Sequence, residues 1–386
     1  MGALDTFADE LRRELDALEA EGRRRRMRPP RGIDLVSNDY LGLADDPRLI
    51  ERMRAALAHV GAGAGGSRLL RGHHDYFEAS EERLAAFSGS EAALLFSSGY
   101  AANLGLLTTI MGRDDLVLSD TLNHASLIDG IRMSGARKHV FPHLDLAAVE
   151  RVLRTPRPRR TFIVTESVFS MDGDLAPLAN LADLADAHGA LLVVDEAHAT
   201  GLYGGRGSGR VEELGLRQRV LATVHTGGKA LGSGGAWISG SRLLCDMLVN
   251  RARSFIFSTA PLPVLTAALD AAIEIVQAEP ARRVEVHRKA ELLRSALRVN
   301  GADSGASASP IVPVMVGAND DAVALQEGLL AAGFDARAIR PPTVPAGTAR
   351  LRVTVRYPIA DEDLSRFARE TGRLLRSGAT SRASTP

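Results

Sequence analysis

The chain has 386 residues, of which 45% are hydrophobic and 24% charged, and its formal net charge is zero. This length is too great for one small core and predicts a large domain accompanied by a smaller one. The neutral charge balance and the 4% aromatic content argue against a nucleic-acid-binding or membrane-surface protein. The composition is typical of a globular enzyme.

Cysteine usage and hydropathy bear on where the protein works. Cys245 is the only cysteine, so an intrachain disulfide is impossible, and a reducing compartment is consistent with that. The N-terminus has the pattern of a charged amphipathic helix over 4–26, ending in the arginine run at 23–28, and lacks the apolar stretch of a signal peptide. No apolar run approaches the roughly 18 residues of a membrane-spanning helix. We expect a cytoplasmic protein.

Alternating helical patterns and short apolar runs predict the fold of the large domain, over residues 47–280. Apolar runs that are buried on both faces and separated by helices, such as 144–154 and 177–188, indicate an α/β architecture with a mostly parallel sheet. The seven predicted strands are 93–97, 116–119, 138–142, 161–165, 190–195, 220–225 and 236–240.

A change of pattern after residue 280 predicts a smaller C-terminal α+β domain over 281–376. Residues 1–46 are predicted to form the N-terminal helix and a connecting segment, and the composition of 377–386 predicts a disordered tail. The predicted elements of the small domain are helix 282–299, strand 311–316, helix 319–332, strands 334–339 and 350–356, and helix 361–376.

The segment ALLVVDEAHATG at 190–201 places Asp195 at the end of a buried strand and His198 three residues later. Ligands of open α/β sheets bind beyond the carboxyl ends of the strands, and a buried carboxylate there needs a cationic partner. A protonated ring nitrogen of a planar cofactor would be such a partner. A helix N-cap is the structural alternative for an Asp in this position, and it stays open here.

A helicase-like nucleotide site can be excluded, although residues 195–198 read DEAH. Such a site needs an upstream GxxxxGK[ST] loop, which the sequence lacks. The glycine-flanked Lys229 follows the DEAH segment, and the next residue, Ala230, has no hydroxyl group for a magnesium ion.

Lys229 is the strongest candidate among the three lysines for covalent chemistry. It lies in the glycine-rich segment HTGGKALG at 225–232, and glycines allow a ring to approach the backbone closely. A desolvated amine favours its neutral form, which a nucleophilic lysine requires. Lys138, before a predicted strand, and Lys289, in a charged helix, are predicted to be ordinary surface lysines.

Four weaker signals remain. The segment SSGY at 97–100 starts a predicted helix and could bind an anion, and His124 could stack on a planar cofactor, although a structural role is the common one for a lone histidine. The GAGAGG segment at 61–66 follows a helical pattern instead of a strand, so it predicts no dinucleotide site. His139 and His143 are predicted to be structural, without acidic or cysteine neighbours, and no metal site is expected.

Taken together, these segments resemble the α-oxoamine synthases, a branch of the aspartate-aminotransferase-like (fold type I) enzymes that use pyridoxal phosphate (PLP). The resemblance covers residues 22–375. One departure lies at Phe77, Ser80 and Glu81, where the family usually has His followed by Leu-Glu. The matching segments are SNDYLGL (37–43), GSR with a later Gly (66–72), SSGYAAN (97–103), NHASL (123–127), ESVFSMDGD (166–174), DEAHATG (195–201), TGGKALGSGG (226–235), FSTAP (257–261) and RPPTVPAGTARLR (340–352).

The resemblance implies PLP as the cofactor and a role for each matching residue. Lys229 is expected to carry PLP as a Schiff base, Asp195 to pair with the ring nitrogen, and His124 to stack on the ring. The other expected contacts are His198 and Ser170 near the ring oxygen, Gly99, Tyr100 and Thr226 at the phosphate, and Ser258 and Thr259 at the phosphate of the partner subunit. Such sharing implies a homodimer.

The resemblance also implies substrate contacts. Arg352 is expected to hold the amino-acid carboxylate as a bidentate fork, with help from Asn38 and with His124 close to the substrate. Thr343 and Arg24 are expected near the acyl group, Arg24 at its distal end.

The reaction implied is a decarboxylative condensation of an amino acid with an acyl thioester. The segment at 340–352 is most similar to the biotin-pathway branch, which joins L-alanine to a pimeloyl thioester of CoA or acyl carrier protein. A sister synthase that uses glycine, such as a glycine C-acetyltransferase, stays open as an alternative. So do an aminotransferase and a catalytically silent subunit of the same fold.

Overall fold

A seven-stranded sheet forms the centre of the large domain in the computed structural model, which describes residues 2–155 and 159–383. In strand order β2-β8-β7-β6-β5-β3-β4, β8 runs antiparallel to both neighbours and the other pairs are parallel, which confirms the predicted sheet. The strands are β2 (Ala92–Phe96), β3 (Asp115–Asp120), β4 (Arg137–Phe141), β5 (Arg160–Glu166), β6 (Leu191–Asp195), β7 (Ala222–Thr226) and β8 (Ala236–Gly240).

Helices cover both faces of this sheet. Successive side chains of a strand point to opposite faces, so Val193 of β6 enters one core while Leu192 and Val194 enter another. The helices of the large domain are α2 (Pro47–Val60), α3 (Asp75–Ser88), α4 (Gly99–Ile110), α5 (Ala125–Ser134), α6 (Leu146–Leu153), α7 (Leu178–His188), α8 (Arg210–Glu213), α9 (Arg242–Arg251), α10 (Arg253–Ile256) and α11 (Pro263–Ala278). Among the described helices, none is long and apolar enough to cross a membrane.

The C-terminal part packs helices against a three-stranded antiparallel sheet with the order β11-β12-β9. Two expectations need correction here. The predicted strand 334–339 is two short strands, of which β10 pairs with β1 (Ile33–Asp34) instead of joining this sheet, and the last helix continues beyond residue 376. The elements are α12 (Pro280–Val299), β9 (Ile311–Gly317), α13 (Asn319–Ala331), β10 (Phe334–Asp335), β11 (Arg337–Ile339), β12 (Ala349–Thr354) and α14 (Asp361–Ala383).

Residues 377–383 of the expected disordered tail are therefore helical, because they continue α14. Residues 384–386 of that tail lie outside the described residues.

The N-terminal helix α1 (Ala3–Ala20) ends six residues before the predicted end at 26. Gly22 has a φ of 62°, in the left-handed region, and its N–H donates to the carbonyl of Glu19, which ends the helix. The arginine run at 23–28 therefore follows the helix as a segment without regular secondary structure, and its Arg28 pairs with Glu327 of the C-terminal part.

Lys289 is not the surface lysine that its helix pattern suggested. Its side chain is buried, its ammonium donates to the Tyr357 carbonyl at 2.6 Å, and it lies over the Tyr357 ring. Lys138 is exposed as expected, although it lies within edge strand β4 instead of preceding it.

The departure from the family pattern in α3 leaves the local packing intact. The Glu81 carboxylate accepts hydrogen bonds from the two terminal nitrogens of the Arg68 guanidinium, at 2.9 and 3.0 Å. Phe77 is buried against the same guanidinium. Ser80 donates to Asp270 at 2.9 Å.

Gly232 shows how closely the N-terminal segment packs on the lysine turn. It has a φ of 60°, its N–H donates to the Lys229 carbonyl, and a Cβ would overlap the backbone of Leu43 and Ala44. We expect Gly232→Ala to lower the midpoint of thermal unfolding more than Gly215→Ala does. Each substitution costs about 1–2 kcal/mol because it places a side chain on left-handed backbone. A Cβ at Gly215 meets no atom within 4 Å, so only the Gly232 substitution also causes a steric overlap. Equal shifts would contradict this account.

Candidate active site

The candidate site lies at the edge of the sheet where the parallel strands end. Glu166, Asp195 and Thr226 are the last residues of the neighbouring strands β5, β6 and β7. The carboxyl ends of parallel strands form the usual ligand-binding edge of such a sheet. The turn that carries Lys229 begins directly after β7.

Asp195 is a buried carboxylate held by two donors. Its Oδ1 accepts the Ala197 N–H at 2.8 Å, and its Oδ2 accepts the Asn103 amide at 2.7 Å. Asn103 also donates to Ser126 at 2.9 Å, so its position in α4 is fixed. An ionised carboxylate offers about four acceptor positions, so Asp195 can accept a further N–H. No sequence signal singled out Asn103, although it lies one helical turn after Gly99.

Glu166 is a second buried carboxyl group beside Asp195, and it begins the matching segment ESVFSMDGD, for which no role of this residue was expected. The two residues are register partners on β5 and β6. Burial, together with the charge of Asp195, raises the pKa of Glu166 to about 8. Glu166 is therefore mostly uncharged at neutral pH.

Lys229 is at the end of a hydrogen-bonded chain of three side chains. Its Nζ lies 2.9 Å from Nε2 of His198, and Nδ1 of His198 lies 2.7 Å from the hydroxyl of Tyr40. Burial lowers the pKa of Lys229 to about 8, against the opposing charge of Asp195, and holds the pKa of His198 well below its ordinary value. Burial raises the pKa of Tyr40 to about 12, so its hydroxyl keeps its proton.

His124 presents a neutral ring at the start of α5. Its Nδ1 accepts the backbone N–H of Ser126 at 3.2 Å, which places the ring proton on Nε2. Burial lowers its pKa. A neutral, flat ring held at its edge in this way suits stacking on a planar ligand.

The start of α4 and the end of β7 form the candidate anion site. Ser98 caps the helix by accepting the Ala101 N–H at 3.2 Å, and a Cβ at Gly99 would lie 2.7 Å from the methyl group of Thr226. Helix N-termini bind anions through their backbone N–H groups. The Tyr100 hydroxyl donates to Asp129, so Tyr100 would serve an anion through its backbone.

Ser258 and Thr259 lie outside this constellation in the single chain. They belong to the segment between α10 and α11, where Phe257 and Thr259 are exposed and Ser258 is partly exposed. Their predicted role at a partner's phosphate stays a prediction.

Arg352 brings the small domain into the site. Its Nε donates to the Ser170 carbonyl at 2.5 Å and its Nη1 to Thr354 at 3.0 Å, and its charge acts on the hydroxyl of Tyr40. Asn38 lies beside the same hydroxyl, with its Oδ1 3.4 Å away. Arg352 and Asn38, the two residues expected to hold the substrate carboxylate, therefore both lie near Tyr40, which is hydrogen-bonded through His198 to Lys229.

A cavity of about 740 Å³ extends from the site towards the N-terminal segment. His124, Ser170 and Thr343 all line it. The arginine beside Thr343 is Arg25, whose Nη2 donates to its hydroxyl at 2.9 Å. Arg24 pairs with Glu19 at 3.3 Å instead, and its expected contact with the acyl group stays a prediction.

The described residues contain no cluster of three or more side chains suited to hold a metal ion. The expectation that His143 lacks acidic neighbours is nevertheless wrong, because Asp120 and Asp174 both contact its ring. Asp120 ends β3 and Asp174 lies in a distant loop, so spacing near His143 could not show them.

Comparison with known proteins defines the class first. The family model "Aminotransferase class I and II" matches residues 30–370, and the chain belongs to this family. A protein of Anaeromyxobacter dehalogenans named 8-amino-7-oxononanoate synthase is 46% identical over 367 residues, which cover 92% of this chain and 91% of that protein. A protein of Azoarcus sp. with the same name is 42% identical over 384 residues, covering 96% and 98%.

A solved structure supports the fold assignment. The serine palmitoyltransferase of S. paucimobilis, with a bound PLP–myriocin aldimine, matches this chain with a TM-score of 0.89 and 28% identity. The match covers 98% of this chain and all of that one. The expected fold type I architecture is confirmed.

The scarcity of lysines makes the lowered pKa of Lys229 testable. In the cofactor-free protein, we expect its amine to titrate near pH 8, far below the ordinary value of 10.5, because burial disfavours the ammonium. The measurement is a pH titration by NMR after ¹³C reductive methylation. Lys229→Ala assigns the resonance and Lys138→Ala is the matched control. A titration near 10.5 for Lys229 would contradict the prediction.

Proposed function

We propose that the chain binds PLP and joins L-alanine to a pimeloyl thioester of CoA or acyl carrier protein, an acyl transfer in biotin biosynthesis. The products are 8-amino-7-oxononanoate, CO₂ and the free thiol carrier. The arrangement of Lys229 and Asp195 at one edge of the sheet carries the proposal, because an amine with a lowered pKa faces a site that contains a buried carboxylate. The relatives at 46% and 42% identity support this choice of substrates.

The residues at this edge fit PLP. Asp195 retains acceptor capacity for a pyridinium N–H, and a pyridinium would give this buried carboxylate a cationic partner. The start of α4, with Thr226, suits a phosphate, and His124 suits the face of the ring. When bound, PLP supplies an electron sink for the carbon that becomes the nucleophile.

Lys229 has two roles in the proposal. Its Nζ is the point of covalent attachment, and once released it accepts the α-proton of alanine as general base. A pKa near 8 suits both, because a substantial fraction of the amine is neutral near physiological pH. His198, whose low pKa keeps it neutral, lies 2.9 Å away and can accept a hydrogen bond without competing for the proton.

The substrate side is divided between the two domains. Arg352 would hold the carboxylate of alanine, with Asn38 beside it, until that carboxylate leaves as CO₂. The cavity of about 740 Å³ would hold the acyl chain. Arg25 and Thr343, which line that cavity, would then bind the distal carboxylate of a pimeloyl group, which needs a cation.

The alternatives differ in a measurable way. A sister synthase would share the Lys229 and Asp195 arrangement and differ in the amino acid it uses. An aminotransferase would convert PLP to its amine form with amino acid alone. A silent subunit would have no need of an amine with a lowered pKa, so the predicted pKa of Lys229 argues against it.

The proposed reaction predicts product formation from L-alanine and pimeloyl-CoA by the purified protein with PLP, followed by mass spectrometry. Lys229→Ala is expected to lower turnover by roughly 10²–10⁴-fold or more, the usual contribution of a general base. Lys138→Ala, in the exposed edge strand, is expected to keep wild-type turnover.

Glycine and L-serine are the competing amino acids in the same assay. Product from glycine alone would favour a sister synthase, and conversion of PLP to its amine form would favour an aminotransferase. Wild-type turnover by Lys229→Ala would refute the role of the lysine.

A shared site in a homodimer is a second part of the proposal. The Ala260 N–H donates to the Gly66 carbonyl, so the segments 66–70 and 257–262 adjoin. Both carry exposed apolar side chains, among them Leu70 at 82% and Phe257 at 72% exposure. Adjacent exposed apolar groups of this kind mark protein interfaces. The homodimer and the cytoplasmic location stay predictions.

Complementation tests the shared site. Lys229→Ala and the double variant Ser258→Ala with Thr259→Ala are each expected to be weakly active. After mixing and subunit exchange, turnover should rise, because one site of each heterodimer then combines two intact halves. A mixture of Lys229→Ala with Asp195→Ala is the control, since both changes would fall in the same half-site. No rise in the first mixture, with subunit exchange demonstrated by mass, would contradict sharing.

A further inference from the structure

His143 lies between two buried carboxylates. It follows β4, and its Nδ1 is 2.9 Å from Oδ1 of Asp120 while its Nε2 is 2.6 Å from Oδ2 of Asp174. Ionised carboxylates only accept hydrogen bonds, so the ring must donate from both nitrogens, which only the imidazolium can do. Burial opposes the charge, but the two aspartates outweigh it and raise the pKa of His143 to about 9.

Each aspartate holds a different loop of the candidate site. Asp120 accepts the Leu122 N–H at 2.8 Å and the Leu144 N–H at 3.0 Å, which fixes the turn that leads to His124. Asp174 closes the turn 169–174, because its carbonyl accepts the Phe169 N–H at 3.0 Å.

The turn 169–174 presents Ser170 to the site, and its Phe169 packs edge-on against the His143 ring, with ring centres 4.4 Å apart. His124, His143 and Ser170 all line the same cavity of about 740 Å³.

We infer that His143 is a positioning residue that acts as an imidazolium, joining the loop of His124 to the loop of Ser170. It touches neither substrate nor cofactor in this role; it sets where those two side chains stand. The inference rests on the proposed function only in that both loops face the proposed PLP site.

The charges around His143 explain why its proton matters. It faces Asp120 from β3 and Asp174 from the loop, and Asp172 is also near and pairs with Arg350 of β12. With the imidazolium, two cations balance three carboxylates; without it, one arginine remains among three buried or partly buried carboxylates. Removing one partner of a buried ion pair leaves an uncompensated charge, which is the costly outcome.

The raised pKa of His143 determines how its contribution to stability changes with pH. The pKa of His143 is higher in the folded chain than the ordinary 6.5, so its stabilisation is complete below pH 6.5. It declines above that value and is lost as the pH rises through about 9. The joined loops should therefore loosen at alkaline pH.

The first test observes the wild-type protein and needs no catalysis. Two-dimensional NMR of ¹⁵N-histidine-labelled protein, without and with PLP, reports the protonation of each ring nitrogen, and His143→Gln assigns the signals. We expect both His143 nitrogens to be protonated at neutral pH. A neutral tautomer would overturn the inference, whether or not the protein makes the proposed product.

The second test compares His143→Gln with His139→Gln, a matched control on the exposed strand β4. His143→Gln should raise amide hydrogen exchange in 120–124 and 169–174 selectively. It should also raise the PLP dissociation constant by about tenfold or more, because Asp120 and Asp174 then lack their shared cation. In the double variant His143→Gln with Asp174→Asn, one negative charge is removed too, and part of the loss should be recovered.

Several results would overturn the inference. One is unchanged exchange in both loops, and another is exchange raised equally throughout the chain. A failure of wild-type protein to bind PLP or form product would count against the proposed function alone, since the exchange and NMR results stand without it. If His143→Gln does not fold, the wild-type NMR measurement still decides.

Discussion

The site depends on keeping a buried carboxylate and a buried amine near each other at the ligand-binding edge of the sheet. Burial alone would favour the neutral form of each group. An amide and a backbone N–H both donate to the Asp195 carboxylate. At Lys229, burial outweighs the attraction of Asp195 and lowers the pKa. The pKa of the neighbouring Glu166 is raised to about 8, so this second buried carboxyl group is mostly protonated at neutral pH.

The small domain stabilises this arrangement through Tyr40. The carbonyl of Tyr40 accepts the Tyr357 N–H at 2.7 Å, and the carbonyl of Tyr357 accepts the buried ammonium of Lys289. The Tyr40 hydroxyl contacts His198, and Arg352 acts on that hydroxyl. A displacement of the small domain would therefore alter the surroundings of Lys229, which gives the two domains a physical means of communicating substrate binding.

Features set by neighbouring residues could be predicted from the sequence, whereas features set by contacts between distant segments could not. The strands of the large sheet are apolar runs bounded by turn residues, so local pattern was enough to find all seven. Lys229 and Asp195 were also accessible, because each follows such a strand directly. Asn103 and Asp174 were not, because their contacts with Asp195 and His143 join distant segments. Glu166 and Asp120 also follow predicted strands, but local pattern could not show that Glu166 is buried beside Asp195 or that Asp120 contacts His143. Lys289 was misplaced for the same reason, since a charged helix pattern does not reveal that the distant Tyr357 carbonyl accepts a hydrogen bond from its ammonium.

The comparison with serine palmitoyltransferase shows where selectivity must arise. That protein shares the overall fold at 28% identity, whereas the 8-amino-7-oxononanoate synthases share up to 46% in the relatives compared. An edge of the sheet that serves PLP chemistry cannot by itself distinguish a short, charged acyl group from a long, apolar one. On the proposed function, the wall that contains Arg25 and Thr343 would do so, because it places the Arg25 guanidinium at the cavity. A dicarboxylic acyl group would offset the desolvation of that cation, and an apolar chain would not. The N-terminal segment, which supplies Arg25, would therefore take part in selecting the acyl substrate.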